Sequence, residues 1–285
     1  MNAPPAPSTP PEALLTYVYA VAPPAPAVRR LLPSLTGVEG RPVTLLHAPG
    51  DDPGPVAFVI SDVPRPEWDE DALKARFEDL RWLEDAARHH HRVVEALAAH
   101  TTVLPLRLAT LYADHAGALG VLRTQGQAFA TLLARLSGHT EYGVKLYVRP
   151  AAAPDPAVPA DSAAPSAAVS PGRAYLQARR SQRTAHEDHH RQARLAAERL
   201  ADVARRHTSD RVSHPVQSGP LAAAAPGENV LNDAYLVADA DAEAFLAALD
   251  GVARGLPGIR VEVTGPWAPY SFAAATPPPA APWTP

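Results

Sequence analysis

Histidine is the residue type in this 285-residue chain that most clearly could bind a metal ion or catalyse a reaction, and the densest group of histidines is a run of three. His89, His90 and His91 are consecutive. On a helix, only side chains three or four positions apart are neighbours. These three imidazoles therefore point in three directions, and we expect that they do not converge on one metal ion.

A second group, His186, His189 and His190, has the i, i+3 and i+4 spacing that places side chains at neighbouring positions of a helix. Imidazoles so placed could share a metal ion. No HExxH pattern accompanies them, and the surrounding RRSQRTAHEDHHRQAR is typical of an exposed helix face. We therefore predict no metal site, and keep a metal-dependent enzyme built on these histidines as the main alternative.

Other chemistries have less support in the sequence. The chain contains no cysteine, which excludes disulfides, cysteine-ligated zinc, iron–sulfur clusters and a thiol nucleophile. It also lacks a GxSxG elbow, a Walker loop, a GxGxxG after a strand and a DxDxDG calcium loop. The formal charge of −4 gives no overall basic field for nucleic acid. We predict a protein that is not an enzyme, requires no cofactor and binds no nucleic acid.

Two segments are candidates for binding a partner. Arg179, Arg180 and Arg183 begin an arginine-rich stretch of a long helix. Such a stretch is usually a solvated face, and the alternative is a docking surface for an acidic or phosphate-bearing partner.

The other candidate is TGPWAPYSF, in which Trp267, Tyr270 and Phe272 alternate with glycine and proline. The prolines exclude a helix and disfavour a central strand. This C-terminal aromatic motif can either fold back on its own core or anchor a partner. We favour the first slightly, because the motif directly continues the last predicted strand.

The elements that must position these residues follow from periodicity. Strands are predicted at Leu14 to Ala22, and as a hairpin at 42–48 and 55–63 around PGDDPG. A helical zone at 68–99 has one apolar face, and a second helix begins after Asp114. The face of the first zone consists of Leu73, Phe77, Leu80, Leu83, Ala87, Val94 and Leu97.

The second half of the chain has the element order β-α-β-β-α-β, which is the order of a ferredoxin-like unit. Its strands are predicted at 141–148, 211–217, 228–239 and 259–267, with the long helix at 173–207. The same order occurs in RNA-recognition modules, which we keep as an alternative. Those modules need a strand with exposed aromatic residues in a defined pattern, and neither EYGVKLYV nor ENVLNDAYLVAD supplies it.

These observations predict an α+β protein of two domains. Residues 14–138 form an N-terminal α/β domain with long amphipathic helices, and residues 139–273 form a C-terminal ferredoxin-like domain with a proline- and alanine-rich linker at 150–171. Residues 1–13 and 274–285 are expected to be disordered tails. No apolar run approaches the ~20 residues of a spanning helix, and no secretory signal is present, so we expect a cytoplasmic protein that is not inserted in a membrane.

Five blocks follow one another along most of residues 14–272: FEDLRWLEDAARHHHRVVEAL, TTVLPLRLATLY, SGHTEYGVKLYV, ENVLNDAYLVA and GPWAPYSF. Together they resemble the GvpL/GvpF gas vesicle proteins. The resemblance departs at Arg107-Leu108-Ala109, where the family often has R-F-G, and in the length of the linker. It leaves open whether the chain acts as an F-type or an L-type member.

The resemblance implies an accessory protein of gas vesicle formation, found in the cytoplasm and in association with gas vesicles. Its implied partners are the small shell protein GvpA and other accessory Gvp proteins. It also implies two domains, the second a modified ferredoxin-like unit, and no enzymatic activity.

Overall fold

The computed structural model describes residues 13–48, 54–149, 171–216 and 227–273, except for the side chains of residues 171–178, 181, 182, 185 and 186. These residues form a mixed α+β structure with two antiparallel sheets. The two predicted tails and the predicted linker lie outside the described residues, apart from Ala13 and Pro171. Two compact units are present: unit 1 is drawn from residues 1–138 and 267–285, and unit 2 from residues 139–266.

Unit 1 contains one sheet and five α-helices among its described residues. Its strands are β1 Leu14–Ala22, β2 Thr44–Leu46, β3 Ala57–Pro64, β4 Leu104–Pro105 and β5 Leu111–Tyr112, and its helices are α1 Pro26–Leu31, α2 Arg65–Trp68, α3 Glu70–Arg76, α4 Leu80–Ala98 and α5 His115–Leu136.

Strand β1 is the centre of this sheet. The strand order is β2-β3-β1-β4, and β5 also pairs with β1. Every residue of β1 from Leu15 to Ala22 is buried, which explains why this strand is a continuous apolar and aromatic run rather than an alternating one. The β1–β3 register shifts between Val18 and Ala20, so Tyr19 lies at a bulge.

Helices cover both faces of the sheet in unit 1. Tyr17 and Tyr19 belong to one buried cluster with Val93, Val94 and Leu97 of α4. Phe58 of β3 contacts Phe129 of α5, with ring centroids 6.1 Å apart. Val59, the next residue of β3, belongs to the α4 cluster. Because successive strand residues point to opposite faces, α4 and α5 lie on opposite sides of the sheet.

The predicted helical zone at 68–99 is broken into three helices. The Asp69 carboxylate accepts a hydrogen bond from the Ala72 N–H at 2.9 Å, and the Asp79 carboxylate accepts one from the Arg81 N–H at 2.9 Å. An aspartate that accepts from the first free N–H groups of a helix defines a helix start. The two aspartates therefore begin α3 and α4. The prediction of a single apolar face is wrong, because the break between the helices means that residues before and after it no longer share one face.

Unit 2 contains four strands and two α-helices among its described residues. The elements are β6 His139–Val148, α6 Pro171–His207, β7 Asp210–Ser213, β8 Glu228–Ala238, α7 Ala242–Leu249 and β9 Ile259–Trp267, of which Trp267 already belongs to unit 1. The strand order is β7-β8-β6-β9. Both helices pack on one face of the sheet, where Leu200 and Phe245 join Tyr142, Val144 and Leu146 in one buried cluster.

The chain leaves unit 2 before its described part ends. The sequence placed residues 139–273 in one C-terminal domain, whereas residues 267–273 pack with unit 1. Ala268 is buried in the cluster that contains Tyr17 and Val93, and Tyr270 packs against the same cluster. The difference arises because these contacts join residues far apart in sequence, which no local pattern indicates.

Ala109 adopts a backbone conformation that alanine disfavours. Its φ is +59°, in the left-handed region where a Cβ lies too close to the following carbonyl oxygen. Its N–H donates to the Tyr17 hydroxyl at 3.3 Å. The loop between β4 and β5 therefore holds a strained, half-buried residue that donates a hydrogen bond to a buried tyrosine.

We expect Ala109→Gly to raise the free energy of unfolding by up to about 1 kcal/mol, because glycine removes the left-handed penalty of ~1–2 kcal/mol but adds entropy to the unfolded chain. Urea unfolding of the two proteins measures the difference. As a matched control, Ala87→Gly in the exposed face of α4 should lower stability by about 1 kcal/mol. Equal destabilisation by both substitutions would contradict this prediction.

Candidate partner-binding surfaces

His90 is a buried structural residue with both ring nitrogens hydrogen-bonded. Its side chain is 3% exposed. Nε2 lies 3.0 Å from the Leu106 carbonyl oxygen, and Nδ1 lies 2.7 Å from the Tyr17 hydroxyl. A carbonyl oxygen only accepts hydrogen bonds, so Nε2 carries the proton and Tyr17 donates to Nδ1. The Tyr17 oxygen in turn accepts from the Ala109 N–H, which completes a four-member network.

This network requires a neutral imidazole. Burial lowers the pKa of His90 from 6.5 to about 4, which the hydrogen bond to Leu106 only partly opposes. Burial also raises the pKa of Tyr17. A general acid or base works best with a pKa near the operating pH, and neither group satisfies that condition. The network therefore joins β1, α4 and the loop after β4 through neutral side chains.

The neighbouring histidines point elsewhere. The His89 ring bonds to the Asp85 carbonyl oxygen at 2.9 Å, and His91 Nε2 lies 3.0 Å from a Glu95 carboxylate oxygen. Since each ring has different partners, the three consecutive histidines do not share a ligand position.

The histidines of α6 do not form a metal site among the side chains that the structure describes. His186 is outside that set, and the His189 ring lies against the backbone of Gly258, where an added Cβ would be 3.1 Å from the imidazole. No group of three or more histidine, aspartate or glutamate side chains in the described part of the chain could hold a metal ion. The metal-enzyme alternative gains no support from this arrangement.

Arg179, Arg180 and Arg183 are exposed on α6. The Arg183 guanidinium donates to Glu187 at 3.1 Å, one helical turn later. An exposed pair at this spacing contributes only about 0.3–0.5 kcal/mol. The proposed binding role of these arginines stays a prediction.

The C-terminal aromatic motif packs on unit 1. Phe272 is 5% exposed, and the rings of Tyr270 and Trp267 lie 6.0 Å and 5.4 Å from the ring of His91. Trp267 is 37% exposed. The structure therefore places Tyr270 and Phe272 against their own protein, and leaves part of Trp267 on the surface.

A cluster around Glu39 was missed by sequence reasoning. The Glu39 carboxylate accepts hydrogen bonds from the indole N–H groups of Trp68 at 2.8 Å and Trp82 at 3.4 Å, and it pairs with Arg76. Burial alone would raise the pKa of this carboxyl, but the hydrogen bonds from Trp68 and Arg76 outweigh burial and lower it. No local pattern indicates this cluster, because Trp68, Arg76 and Trp82 are 29 or more positions from Glu39 in the sequence.

An apolar patch lies beside this cluster. We call Phe77, Leu80 and Trp82 the α3–α4 patch. Leu80 is 77% exposed and Phe77 is 43% exposed, and the rings of Phe77 and Trp82 are 6.1 Å apart. Both exposed residues were predicted to lie on the apolar face of one helical zone. They lie on the surface because α3 ends at Arg76 and α4 restarts at Leu80.

We expect the stability of the protein to fall with acidification through the titration of His90. The folded pKa is below the unfolded value, so the unfolded state binds more protons between pH 6.5 and about 4. The contribution of neutral His90 to the free energy of unfolding is fully present above pH 6.5. It falls as the pH decreases, by roughly 1.4 kcal/mol per pH unit and by about 3 kcal/mol in total.

Urea unfolding at a series of pH values tests this expectation. His90→Gln should flatten the slope between pH 4.5 and 6.5 relative to the native chain, whereas His100→Gln, at an exposed position, should keep it. An unchanged slope in His90→Gln would show that another group causes the pH dependence.

We also expect Phe272→Ala to lower the free energy of unfolding by about 3 kcal/mol, the range for removal of a buried phenylalanine side chain. Phe77→Ala, at a position with a 43% exposed side chain, is the matched control and should cost under about 1 kcal/mol. Chemical denaturation compares the two. Equal and small effects would mean that the aromatic motif does not stabilise unit 1.

No helix among the described residues is long and apolar enough to cross a membrane.

Comparisons with known proteins agree on one family. Residues 15–274 match the family described as gas vesicle synthesis protein GvpL/GvpF. The chain is 40% identical over 263 residues to gas vesicle protein L from Streptomyces sp. (strain CB03234), covering 91% of this chain and 92% of that protein.

Two crystal structures share the fold. Gas vesicle protein GvpF from Anabaena sp. PCC7120 matches with a TM-score of 0.56, over 91% of this chain and 96% of that one. Gas vesicle protein GvpF from Microcystis aeruginosa matches with a TM-score of 0.58, over 91% and 98%. Each is 17% identical, so these two support the fold alone. The family match and the 40% identical relative establish that the chain belongs to the GvpL/GvpF family of gas vesicle proteins.

Proposed function

We propose that this protein is an assembly factor that binds the shell protein GvpA and other accessory Gvp proteins while gas vesicles form. Membership of a family described as acting in gas vesicle synthesis supports a role in that process. The observation that carries a binding role is the α3–α4 patch, in which Leu80 is 77% exposed and Phe77, whose ring lies 6.1 Å from that of Trp82, is 43% exposed. Exposed apolar surface of this kind marks protein interaction sites.

The proposal includes a non-enzymatic action in the cytoplasm, in association with gas vesicles. An assembly factor must cover apolar surface of a shell subunit before the subunit enters the vesicle wall, and must release it afterwards. Binding energy between two proteins is sufficient for this task. The metal-enzyme and RNA-binding alternatives are not favoured by the family match.

We further propose that unit 2 is ferredoxin-like. Its elements follow in the order β-α-β-β-α-β, and its strand order β7-β8-β6-β9 places the first and third strands of the unit at the centre of the sheet. The exposed arginines Arg179, Arg180 and Arg183 would then extend from unit 2 as a candidate contact for acidic partner surfaces. Trp267 is a candidate contact on unit 1, since this residue is 37% exposed.

Size-exclusion chromatography with a solubility-tagged GvpA fusion tests the proposal. We expect the chain to co-elute with the fusion and not with the tag alone, because binding requires the apolar surface of the shell subunit. The chain should not bind purified mature vesicles at high density. Stoichiometric coating of finished vesicles would instead identify a structural shell component, and a lack of co-elution would remove the proposed partner.

A further inference from the structure

We propose that the α3–α4 patch is the docking surface for an amphipathic helix of a partner protein, one whose apolar face is flanked by lysine or arginine. The proposal rests on the proposed function and specifies the surface and the kind of partner element. It is carried by three properties of the region: its exposed apolar side chains, its rigid support and its surplus of acidic residues.

The patch has the composition of an interface centre. An isolated exposed leucine is ordinary on a protein surface. Here, however, the 77% exposed Leu80 follows the 43% exposed Phe77 by three residues, and the centroid of the Phe77 ring lies 6.1 Å from that of Trp82. Aromatic side chains and arginine are enriched among residues that dominate binding energy. Arg76 supplies such an arginine beside the patch, because its guanidinium carbon lies 5.1 Å from the centre of the Trp82 ring.

Trp82, the innermost residue of the patch, is held in place before any partner binds. The ring of Trp82 lies 5.4 Å from the ring of Trp68, which is fully buried. Its N–H donates to Glu39, and Arg76 pairs with Glu39 and with Glu67. A side chain fixed from several sides loses little conformational entropy on binding. The surface around Trp82 is therefore preorganised for a partner.

The surroundings of the patch are acidic. Residues 67–85 contain eight aspartate or glutamate residues and three lysine or arginine residues. Two of the three basic side chains are already engaged by carboxylates of this protein: Lys74 by Glu70 and Asp71, and Arg76 by Glu39. The net charge of residues 67–85 is therefore negative. Complementary charge across an interface selects the partner and speeds association, which favours a basic rim on the partner.

A helix is the element that fits this surface. Phe77 and Leu80 flank the junction of two helices, where the backbone groups are used within the helices and offer no strand edge for pairing. Recognition must therefore come from side chains. An amphipathic helix presents apolar side chains at i, i+3, i+4 and i+7 along one face, with charged residues beside them.

The segments of this chain outside the described ranges do not supply such an element. Residues 1–12, 49–53, 150–170, 217–226 and 274–285, which lie outside the described ranges, contain no lysine or arginine. Every basic residue of the protein therefore lies in the described part. The charge of the patch points to another molecule rather than to a segment of the chain folding over it.

The test uses the full chain, the double variant Phe77→Ser with Leu80→Ser, and the matched control Leu195→Ser with Leu246→Ser. The control residues are 40% and 39% exposed and lie in unit 2. Two synthetic helices with the same leucine face serve as probes, one flanked by lysine and the other by glutamate. Fluorescence anisotropy measures Kd at low and at physiological salt, and circular dichroism measures Tm.

We expect the lysine-flanked helix to bind the native chain and the control at least tenfold more tightly than the glutamate-flanked helix. The Phe77/Leu80 variant should lose at least tenfold in affinity without a matching fall in Tm. Added salt should weaken the binding, because the charges are exposed. Equal Kd values for the two helices, or for the native chain and the patch variant, would overturn the proposal.

Two further arms separate this proposal from the proposed function. If the GvpA fusion binds the native chain and the patch variant equally, the patch is not its docking surface and the assembly role stands. If the lysine-flanked helix binds through the patch but the fusion does not bind, the docking surface stands and the shell-protein partner fails. A concentration-dependent dimer that the patch variant abolishes in light scattering would make a second copy the occupant and overturn the proposal.

Discussion

The buried hydrogen-bond network of Ala109, Tyr17, His90 and Leu106 is the constraint on which unit 1 depends. It joins the central strand to α4 and to the loop between β4 and β5, and every donor and acceptor in it has a partner. A buried polar network is stabilising only when it is complete, because an orphaned group in the interior costs more than the bond contributes. This requirement accounts for a neutral histidine in the core and for a strained alanine in the loop.

The residues of α4 that pack in the core are not those of the proposed docking surface. His90, Val93, Val94 and Leu97 are buried, whereas the first turn of the helix carries the exposed Leu80 and the half-buried Trp82. The Glu39 cluster connects these two regions, since one carboxylate anchors the buried indole of Trp68 and the half-buried indole of Trp82. The proposed docking surface is thus an extension of the core and gains its rigidity from it.

Local patterns were sufficient for most elements. The apolar run of β1, the aspartate before α5 and the β-α-β-β-α-β order of the second half each reflect interactions within about ten residues. The start of α5 is an example: the Asp114 carboxylate accepts from the Gly117 N–H at 2.7 Å, a contact between residues three apart. Contacts over so few residues depend only on residue types and their spacing. For the same reason, the strands at Leu14–Ala22 and Ile259–Trp267 could be predicted with their bounds.

The sequence by itself determined the α+β class, the family, the absence of cysteine chemistry and the inability of three consecutive histidines to share a metal. Only the tertiary structure decided that His90 is a core residue, since its partner Tyr17 is 73 positions away. Only the tertiary structure likewise decided where the C-terminal aromatic motif packs. Its Trp267 contacts His91 of unit 1, although the strand that precedes it belongs to unit 2. Periodicity reports which side of a helix is apolar, but two capping aspartates that interrupt the helix decide which apolar side chains meet the core and which meet solvent.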